Sequence, residues 1–216
     1  MTIGSDPFPA RGPAGNVPTD ARIVDDLAYE YDGVFSRESV ERAVAEAWQA
    51  LAPQATVHEF LPVLVRRFAR DQLLAAAQVD GRIVKALPEI LFVCVHNAGR
   101  SQLAAALTRH LSGGRVRVRS AGSRPADEIN PHVVTVLAER GIDLAEAFPK
   151  PLTDRVVQAA DVIVTMGCGD ACPVYPGKRY LDWTVADPHE QTLDRIRDIR
   201  DDIQARVTVL LRELGL

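Results

Sequence analysis

The residues best suited to chemistry lie in one stretch, Ile90 to Ser101, which reads ILFVCVHNAGRS. Its apolar start predicts a buried strand that runs directly into Cys94, and after five loop residues Arg100 stands at the expected start of a helix. Backbone N–H groups that curl around a helix N-terminus attract negative charge, and the same field favours a thiolate. The stretch therefore predicts a nucleophilic cysteine inside an oxyanion-binding loop. The alternative is a buried structural cysteine beside a surface arginine.

The residue types of this loop fit that chemistry. Arg100 offers a planar guanidinium that can hold two oxygens of a tetrahedral oxyanion, which the point charge of a lysine cannot do. We expect Gly99 to let the backbone turn tightly against the ligand, and Asn97 to adopt left-handed geometry and tie the loop to itself. Ser101 is expected to act either as the helix N-cap or as a hydroxyl donor to the Cys94 sulfur. The predicted oxyanion-binding residues are Val95, His96, Asn97, Ala98, Gly99, Arg100 and Ser101.

Composition and charge exclude several classes of protein. The chain has 216 residues, 47% hydrophobic and 25% charged, which predicts a soluble protein with one good core and a smaller one. A net charge of -4 without a basic run argues against nucleic acid and against an anionic membrane surface as partners. Because no apolar run approaches the roughly 20 residues of a membrane-spanning helix and no signal peptide is evident, we expect a cytoplasmic protein. Three cysteines fit reactive thiols in a reducing compartment better than a secreted disulfide framework.

The first 85 residues predict a helical appendage. Residues 1–19 are rich in Pro and Gly and are expected to form a flexible arm. Residues 20–85 carry three amphipathic patterns between capping and breaking residues, which predict a three-helix domain. The predicted helices run from Asp20 to about Gly33, from Ser36 to Pro53 and from Leu61 to Gln78.

The charge of this region bears on its role. Residues 1–85 contain nine Lys or Arg and twelve Asp or Glu, an acidic balance that argues against a DNA-reading module. We expect a packing or dimerising appendage, with a homodimer formed through the N-terminal helices. Docking of a different partner is the alternative.

Residues 86–216 alternate strand and helix patterns, which predicts an α/β domain around a parallel sheet with right-handed crossovers. Strands are predicted at Ile90–Val93, around Val116–Ala121 and at Asp161–Met166, and helices at Gln102–Leu111, from Pro131 to Gly141 and from Leu193 onward. Ligands bind beyond the carboxyl ends of the strands in such sheets. Cys94 stands at that end of the first strand.

A second thiol site follows the strand that ends at Met166, in the sequence GCGDACP. Cys168 and Cys172 are four residues apart, so one helical turn would bring their Cα atoms to about 6 Å, within the reach of a disulfide. The glycines on either side of Cys168 supply mobility for one cysteine to swing toward Cys94. A metal half-site and two incidental cysteines are the alternatives, although no histidine shows ligand spacing to this pair.

Asp187 is the carboxylate of interest near the end of the chain, and Pro188 follows it. A loop after the last strand can lean over the oxyanion-binding loop, where a carboxyl group can protonate a departing oxygen. The alternative is a turn-forming Asp-Pro pair.

These motifs together show a family resemblance. CVHNAGRSQ from Cys94, SAG at Ser120 to Gly122, VTMGCGDACP at Val164 to Pro173 and ADP at Ala186 to Pro188 resemble the arsenate reductases built on the low-molecular-weight protein tyrosine phosphatase fold. The resemblance covers about residues 88–216. It implies a four-stranded parallel sheet flanked by helices, preceded here by the three-helix domain. No cofactor or metal is expected, and relatives that bind a potassium ion behind the loop carry a glutamate where this chain has Ala105.

The resemblance implies reduction of arsenate to arsenite, with phosphate and sulfate as binding analogues. In this hypothesis the Cys94 thiolate attacks arsenic held by Arg100 and the loop amides, and Asp187 protonates the leaving oxygen. Cys168 then attacks the Cys94 sulfur, Cys172 attacks Cys168, and thioredoxin resets the final disulfide.

Three alternatives stay open. Relatives often space the last two cysteines more widely, so mycothiol or glutathione could resolve the intermediate instead. A low-molecular-weight protein tyrosine phosphatase needs the same Cys94, Arg100 and Asp187, although such enzymes usually follow Asp-Pro with aromatic residues and this chain has HEQ at 189–191. A non-enzymatic arsenite-binding or redox-sensing module is the third.

Overall fold

The computed structural model describes Phe8 and residues 20–55, 59–167 and 172–216. The chain divides into two compact units, Met1–Lys85 and Ala86–Leu216. Within the described ranges no helix is long and apolar enough to cross a membrane.

The N-terminal unit contains the three predicted helices: α1 (Ala21–Glu30), α2 (Arg37–Leu51) and α3 (Leu61–Val79). Their starts follow the expected capping chemistry, because the Asp20 carboxylate accepts from the Arg22 N–H and Ser36 Oγ accepts from the Ser39 N–H. α2 ends in a 3-10 turn over Ala52–Gln54, which contains the helix-breaking proline. The predicted three-helix arrangement is therefore confirmed.

Phe8 is the described residue of the predicted N-terminal arm, and the rest of residues 1–19 lies outside the described residues. Phe8 is fully buried, and its ring lies edge-on to Phe35 with a centroid distance of 6.0 Å. The Arg42 guanidinium donates to the Phe8 carbonyl. Sequence analysis does not single out Phe8, because one aromatic residue among prolines and glycines gives no periodic signal.

The C-terminal unit is built on a four-stranded sheet in which every neighbouring pair is parallel. β1 (Glu89–Cys94) lies between β2 (Arg117–Gly122) and β3 (Val162–Thr165), and β4 (Arg179–Asp182) pairs with β3 at the edge. The predicted parallel four-stranded α/β fold is therefore confirmed. The positions of the fourth strand, β4, and of the short helix α6 (Asp154–Ala159) were not predicted. β4 reads RYLD at the sheet edge and α6 has six residues, so neither carries a clear apolar period. The elements are β1 (Glu89–Cys94), α4 (Arg100–Ser112), β2 (Arg117–Gly122), α5 (Pro131–Ala138), α6 (Asp154–Ala159), β3 (Val162–Thr165), β4 (Arg179–Asp182) and α7 (Leu193–Glu213).

The two elements that carry the predicted nucleophile site are anchored in the core. All six residues of β1 are buried, as expected for an inner strand covered on both faces. α4 packs against both β1 and α7, and its residues Leu103 and Leu107 belong to the same apolar cluster as Phe92. The site between β1 and α4 is therefore held by two well-packed elements.

Candidate active site

Cys94 is the last residue of β1, and the oxyanion loop (residues 95–101) carries the chain from there into α4. The cysteine side chain is buried. Its Sγ lies 3.3 Å from the Asn97 backbone nitrogen, whose N–H points at the sulfur, and 3.0 Å from Ser101 Oγ. A backbone N–H, a hydroxyl and the positive end of a 13-residue helix thus converge on one sulfur.

Ser101 Oγ lies within hydrogen-bond distance of the Cys94 sulfur, as the second of its two expected roles requires. Asn97 Nδ2 donates to Ser101 Oγ at 2.7 Å, which leaves the hydroxyl hydrogen available for the Cys94 sulfur. The N-cap alternative is wrong: α4 begins one residue earlier, at Arg100, and its N-cap is Gly99, so Ser101 already lies in the first turn.

Asn97 ties the oxyanion loop to its surroundings. It has a left-handed backbone with φ of 49°, and its Oδ1 accepts from the Lys150 N–H at 2.8 Å. Gln102 Nε2 donates to the Asn97 carbonyl at 3.0 Å and to the Phe148 carbonyl at 3.1 Å. Gln102 was missed by sequence reasoning, because a glutamine in a first helical turn carries no signal of such contacts.

The outer carbonyls of the oxyanion loop are also satisfied. The carbonyls of Val95, His96 and Ala98 accept from the backbone N–H groups of Arg124, Ala126 and Asn130 at 2.8, 2.9 and 3.0 Å. Because these carbonyls point outward to the 124–130 segment, the loop N–H groups are free to face inward. The 124–130 segment was not predicted to support the site.

Arg100 and Asp187 meet at the mouth of the loop. Arg100 Nη2 donates to Asp187 Oδ2 at 2.6 Å, and the arginine is buried whereas the aspartate is half-exposed. The other carboxylate oxygen, Oδ1, accepts from the His189 N–H at 3.1 Å. Cys94, Arg100 and Asp187 line one small cavity of about 30 Å³, so the structure brings these three predicted residues together.

Gly99 has a different structural reason from the one expected. A Cβ at this position would collide with Cγ of Pro188. Glycine therefore permits the close approach of the Asp-Pro loop. The sequence analysis had instead predicted that this glycine allows a ligand to approach. Pro188 is buried by this contact, which fixes the residue after Asp187 against the oxyanion loop.

A larger groove of about 610 Å³ opens beside the small cavity. His96, Ala98, Asn130 and His189 line both spaces. The groove has no tyrosine, phenylalanine or tryptophan among its lining residues. Its walls carry imidazole, carboxylate and small apolar groups, which a substrate larger than a free oxyanion would contact.

The second cysteine segment leaves the sheet beside Cys94. β3 is the hydrogen-bonded neighbour of β1, and the Met166 N–H donates to the Val93 carbonyl at 2.8 Å. Gly167 follows with φ of 73°, and a Cβ there would lie 2.8 Å from Arg100 Nη1. The backbone at Gly167, the residue before Cys168, therefore lies close to Arg100. Cys168 itself lies outside the described residues.

Cys172, the third cysteine, is half-buried. Its Sγ lies 3.9 Å from the Pro173 carbonyl oxygen. The Tyr180 hydroxyl of β4 donates to the same carbonyl at 3.1 Å and accepts from the Tyr175 N–H at 2.9 Å. A side chain of the sheet thus holds the segment that follows Cys172.

The position expected to matter for potassium supplies no oxygen ligand. Ala105 is fully buried in the apolar core. Among the residues that the structure describes, no group of three or more His, Cys, Asp or Glu side chains could hold a metal ion. Position 105 therefore lacks the carboxylate that potassium-binding relatives carry there.

Each of the two units matches a known protein family. Residues 89–215 match the model of the low molecular weight phosphotyrosine protein phosphatase family, and residues 21–77 match a protein-tyrosine-phosphatase-like N-terminal domain. The chain belongs to the low molecular weight phosphotyrosine protein phosphatase family. Both units therefore correspond to known families.

Individual members of this phosphatase family differ in activity. The chain is 47% identical to the thioredoxin-dependent arsenate reductase Cg_ArsC1' of Corynebacterium glutamicum, with a TM-score of 0.82 over 90% of this chain and 96% of that one. It is 34% identical to an arsenate reductase of Halalkalibacterium halodurans, over 55% of this chain and 91% of the relative. It is 28% identical to the YwlE arginine phosphatase of Geobacillus stearothermophilus, with a TM-score of 0.53 over 59% of this chain and 98% of that one.

Proposed function

We propose that this family member reduces arsenate to arsenite and is reset by thioredoxin. The oxyanion loop suits arsenate and phosphate equally, since the two anions share shape and charge. The observation that carries the proposal is the 47% identity to a thioredoxin-dependent arsenate reductase across 90% of the chain, N-terminal unit included. The second cysteine segment, which leaves the sheet beside Cys94, supports the same choice.

The first step uses the residues around Cys94. The thiolate attacks arsenic, forming an S–As bond while one oxygen leaves as water. In this proposal Asp187, whose carboxylate lies 2.6 Å from the guanidinium of Arg100, gives the proton to that oxygen. Arg100 and the inward N–H groups of the oxyanion loop hold the remaining oxygens. The product of this step is an arsenate ester of Cys94.

The second step transfers two electrons to arsenic. The Cys168 thiolate attacks the Cys94 sulfur, the S–As bond breaks with its electron pair on arsenic, and arsenite leaves. Cys172 then attacks Cys168, which releases the Cys94 thiolate and leaves a disulfide between Cys168 and Cys172. The proximity of Gly167 to Arg100 supports an attack of Cys168 on Cys94, because the residue before Cys168 lies beside the oxyanion loop.

The reductant must return two electrons to that disulfide. A dithiol such as thioredoxin does so through a mixed disulfide. The similarity to a thioredoxin-dependent reductase supports thioredoxin over mycothiol or glutathione. Reduced thioredoxin and reactive thiols both require a reducing compartment, so we place the reaction in the cytoplasm.

The deciding experiment measures arsenate-dependent NADPH consumption with thioredoxin and thioredoxin reductase, and separately with mycothiol and glutathione systems. We expect turnover with thioredoxin, none in Cys94→Ser, and one turnover at most in Cys172→Ser, which should retain a disulfide between Cys94 and Cys168. Normal thioredoxin-coupled turnover in Cys172→Ser would refute the relay. A wild type that consumes NADPH with none of these donors yet cleaves phosphate monoesters would be a phosphatase.

For the N-terminal unit we propose a separate domain over residues 20–85 that forms a homodimer. Large apolar side chains exposed on its surface support this, among them Tyr29 at 88% exposed, Phe60 at 61% and Val63 at 49%. Sedimentation equilibrium should give a dimer for wild type and a monomer for Phe60→Lys combined with Val63→Lys. A monomeric wild type would refute the dimer and leave the proposed chemistry intact.

A further inference from the structure

Asn130 joins three parts of the catalytic unit. It is the N-cap of α5, where its Oδ1 accepts from the His132 N–H at 2.9 Å. Its own backbone N–H donates to the Ala98 carbonyl of the oxyanion loop at 3.0 Å. Its Nδ2 donates to the Pro188 carbonyl at 3.2 Å. The two polar atoms of the Asn130 side-chain amide thus bind different segments: the oxygen caps α5, and the nitrogen donates to the Asp-Pro loop.

The Asp-Pro loop depends on such side-chain contacts. The chain between β4 and α7 has no regular structure, and Glu190 within it takes a left-handed backbone with φ of 56°. The Pro188 ring packs on Gly99, and the Pro188 carbonyl accepts from both Asn130 Nδ2 and the Gln191 N–H. The residue after Asp187 is therefore fixed on both its ring and its carbonyl.

From this arrangement we propose that Asn130 is a positioning residue for Asp187. Asn130 is anchored to the oxyanion loop through Ala98, so its donation to Pro188 sets the distance between the Asp187 carboxyl group and the anion held beside Cys94. Asn130 takes no part in the chemistry itself and acts through Asp187. The inference rests on the proposed function in one respect, the role of Asp187 as the proton donor.

Substitution by serine separates the two ends of the amide. Asn130→Ser keeps an oxygen that can cap α5 and removes the donor to Pro188, without adding charge. We expect kcat for arsenate reduction to fall about tenfold, because a displaced proton donor slows the chemical step. KM for arsenate should stay within about twofold, because Arg100 and the loop N–H groups are untouched. Asn130→Ala, which loses the cap as well, should also unfold at a lower temperature.

A double-mutant cycle with Asp187→Asn provides the decisive measurement. Asp187→Asn should lower kcat about a hundredfold. If Asn130 acts through Asp187, adding Asn130→Ser to that variant should cost nothing further. An equal tenfold loss in both backgrounds would overturn the proposal, as would wild-type kcat in Asn130→Ser.

The cycle also separates this inference from the proposed function. Protonation of a leaving oxygen by Asp187 is common to arsenate reduction and phosphate monoester hydrolysis. If wild type does not reduce arsenate, the same four proteins can be measured with p-nitrophenyl phosphate. Coupling between Asn130 and Asp187 in that assay would retain the positioning role while the reductase proposal fails. If the double variant still turns over measurably and its loss of kcat equals the product of the two single losses, the positioning role is overturned.

Discussion

The guanidinium of Arg100 donates a hydrogen bond of 2.6 Å to the carboxylate of Asp187. The residue proposed to bind the oxyanion and the residue proposed to protonate it are therefore partners of one another. In the proposed mechanism an incoming oxyanion competes with Asp187 for the same guanidinium. We therefore expect Asp187 to weaken anion binding while it promotes the chemical step.

This competition predicts opposite effects of Asp187→Asn on binding and turnover. Removing the carboxylate charge frees Arg100 and removes repulsion, so phosphate and sulfate should bind about tenfold more tightly. Arsenate turnover should fall at the same time. Titration calorimetry with phosphate measures the first effect, and Asp198→Asn on the exposed face of α7 is the control. Weaker phosphate binding in Asp187→Asn would contradict the competition.

Ser101→Ala tests the hydroxyl beside the sulfur. Loss of the 3.0 Å contact with Cys94 removes one donor to the thiolate, and we expect the first chemical step to slow about tenfold. The rate of Cys94 alkylation by iodoacetamide at neutral pH should fall with it. Ser112→Ala, at the other end of α4, should change neither rate. Unchanged alkylation in Ser101→Ala would show that the Asn97 N–H and the helix suffice.

Gly167→Ala tests the approach of the second cysteine segment to Arg100. The new Cβ would lie 2.8 Å from Arg100 Nη1 and must displace it, so arsenate KM should rise about tenfold. Gly177→Ala is a matched control, because Gly177 also has a positive φ, of 77°, but a Cβ added there would meet nothing within 4 Å. If Gly167→Ala and Gly177→Ala raised the KM for arsenate equally, backbone strain at a positive φ would explain the increase without any displacement of Arg100.

Tyr180→Phe tests how Cys172 is held. The lost hydroxyl bridges Pro173 and Tyr175, so the exchange that ends at Cys172 should slow about tenfold while the attack on arsenate is unchanged. Rapid quenching with N-ethylmaleimide and peptide mapping should then show accumulation of the earlier disulfide. Tyr175→Phe keeps the backbone N–H and should behave as wild type. The same disulfide distribution in both variants would count against this role.

The contact between α5 and α7 predicts a pH dependence of stability. Arg197 and then Arg200 lower the pKa of Glu139 below its ordinary 4.5, and Arg200 lowers that of Asp201 below 3.8. Because the folded-state pKa values are depressed, the stabilisation is complete above these ordinary values and is lost as pH falls through the folded-state values.

Glu139→Gln should therefore flatten the acid limb of a plot of Tm against pH. Its Tm should lie below that of wild type at neutral pH and approach it in acid. Differential scanning calorimetry across this range measures both. Glu59→Gln, an exposed glutamate of the N-terminal unit, should leave the curve unchanged. A constant offset between wild type and Glu139→Gln at every pH would show that the effect is not electrostatic.

Patterns within a short stretch of sequence were enough to predict the strand into Cys94, the helix after it and the three N-terminal helices. The contacts that support the site were not predictable in this way. Gln102 reaches Phe148, and Asn130 reaches Pro188, across 46 and 58 residues of sequence. Such pairs have no local signature, because only the folded sheet brings their segments together.

β4 was missed for a related reason. It lies at the edge of the sheet with half-exposed residues, so it lacks the continuous apolar run that identified β1. The residue that holds Pro173, Tyr180, belongs to this strand. The contacts of Tyr180 with the segment after Cys172 could therefore not be predicted from hydrophobic periodicity.

The adjacency of β1 and β3 has a consequence for the segment that follows β3. Parallel neighbours end at the same edge of a sheet, so the connection after Thr165 begins beside Cys94. A change of sequence in that connection can therefore alter what faces the Cys94 sulfur without altering the strand that carries the cysteine.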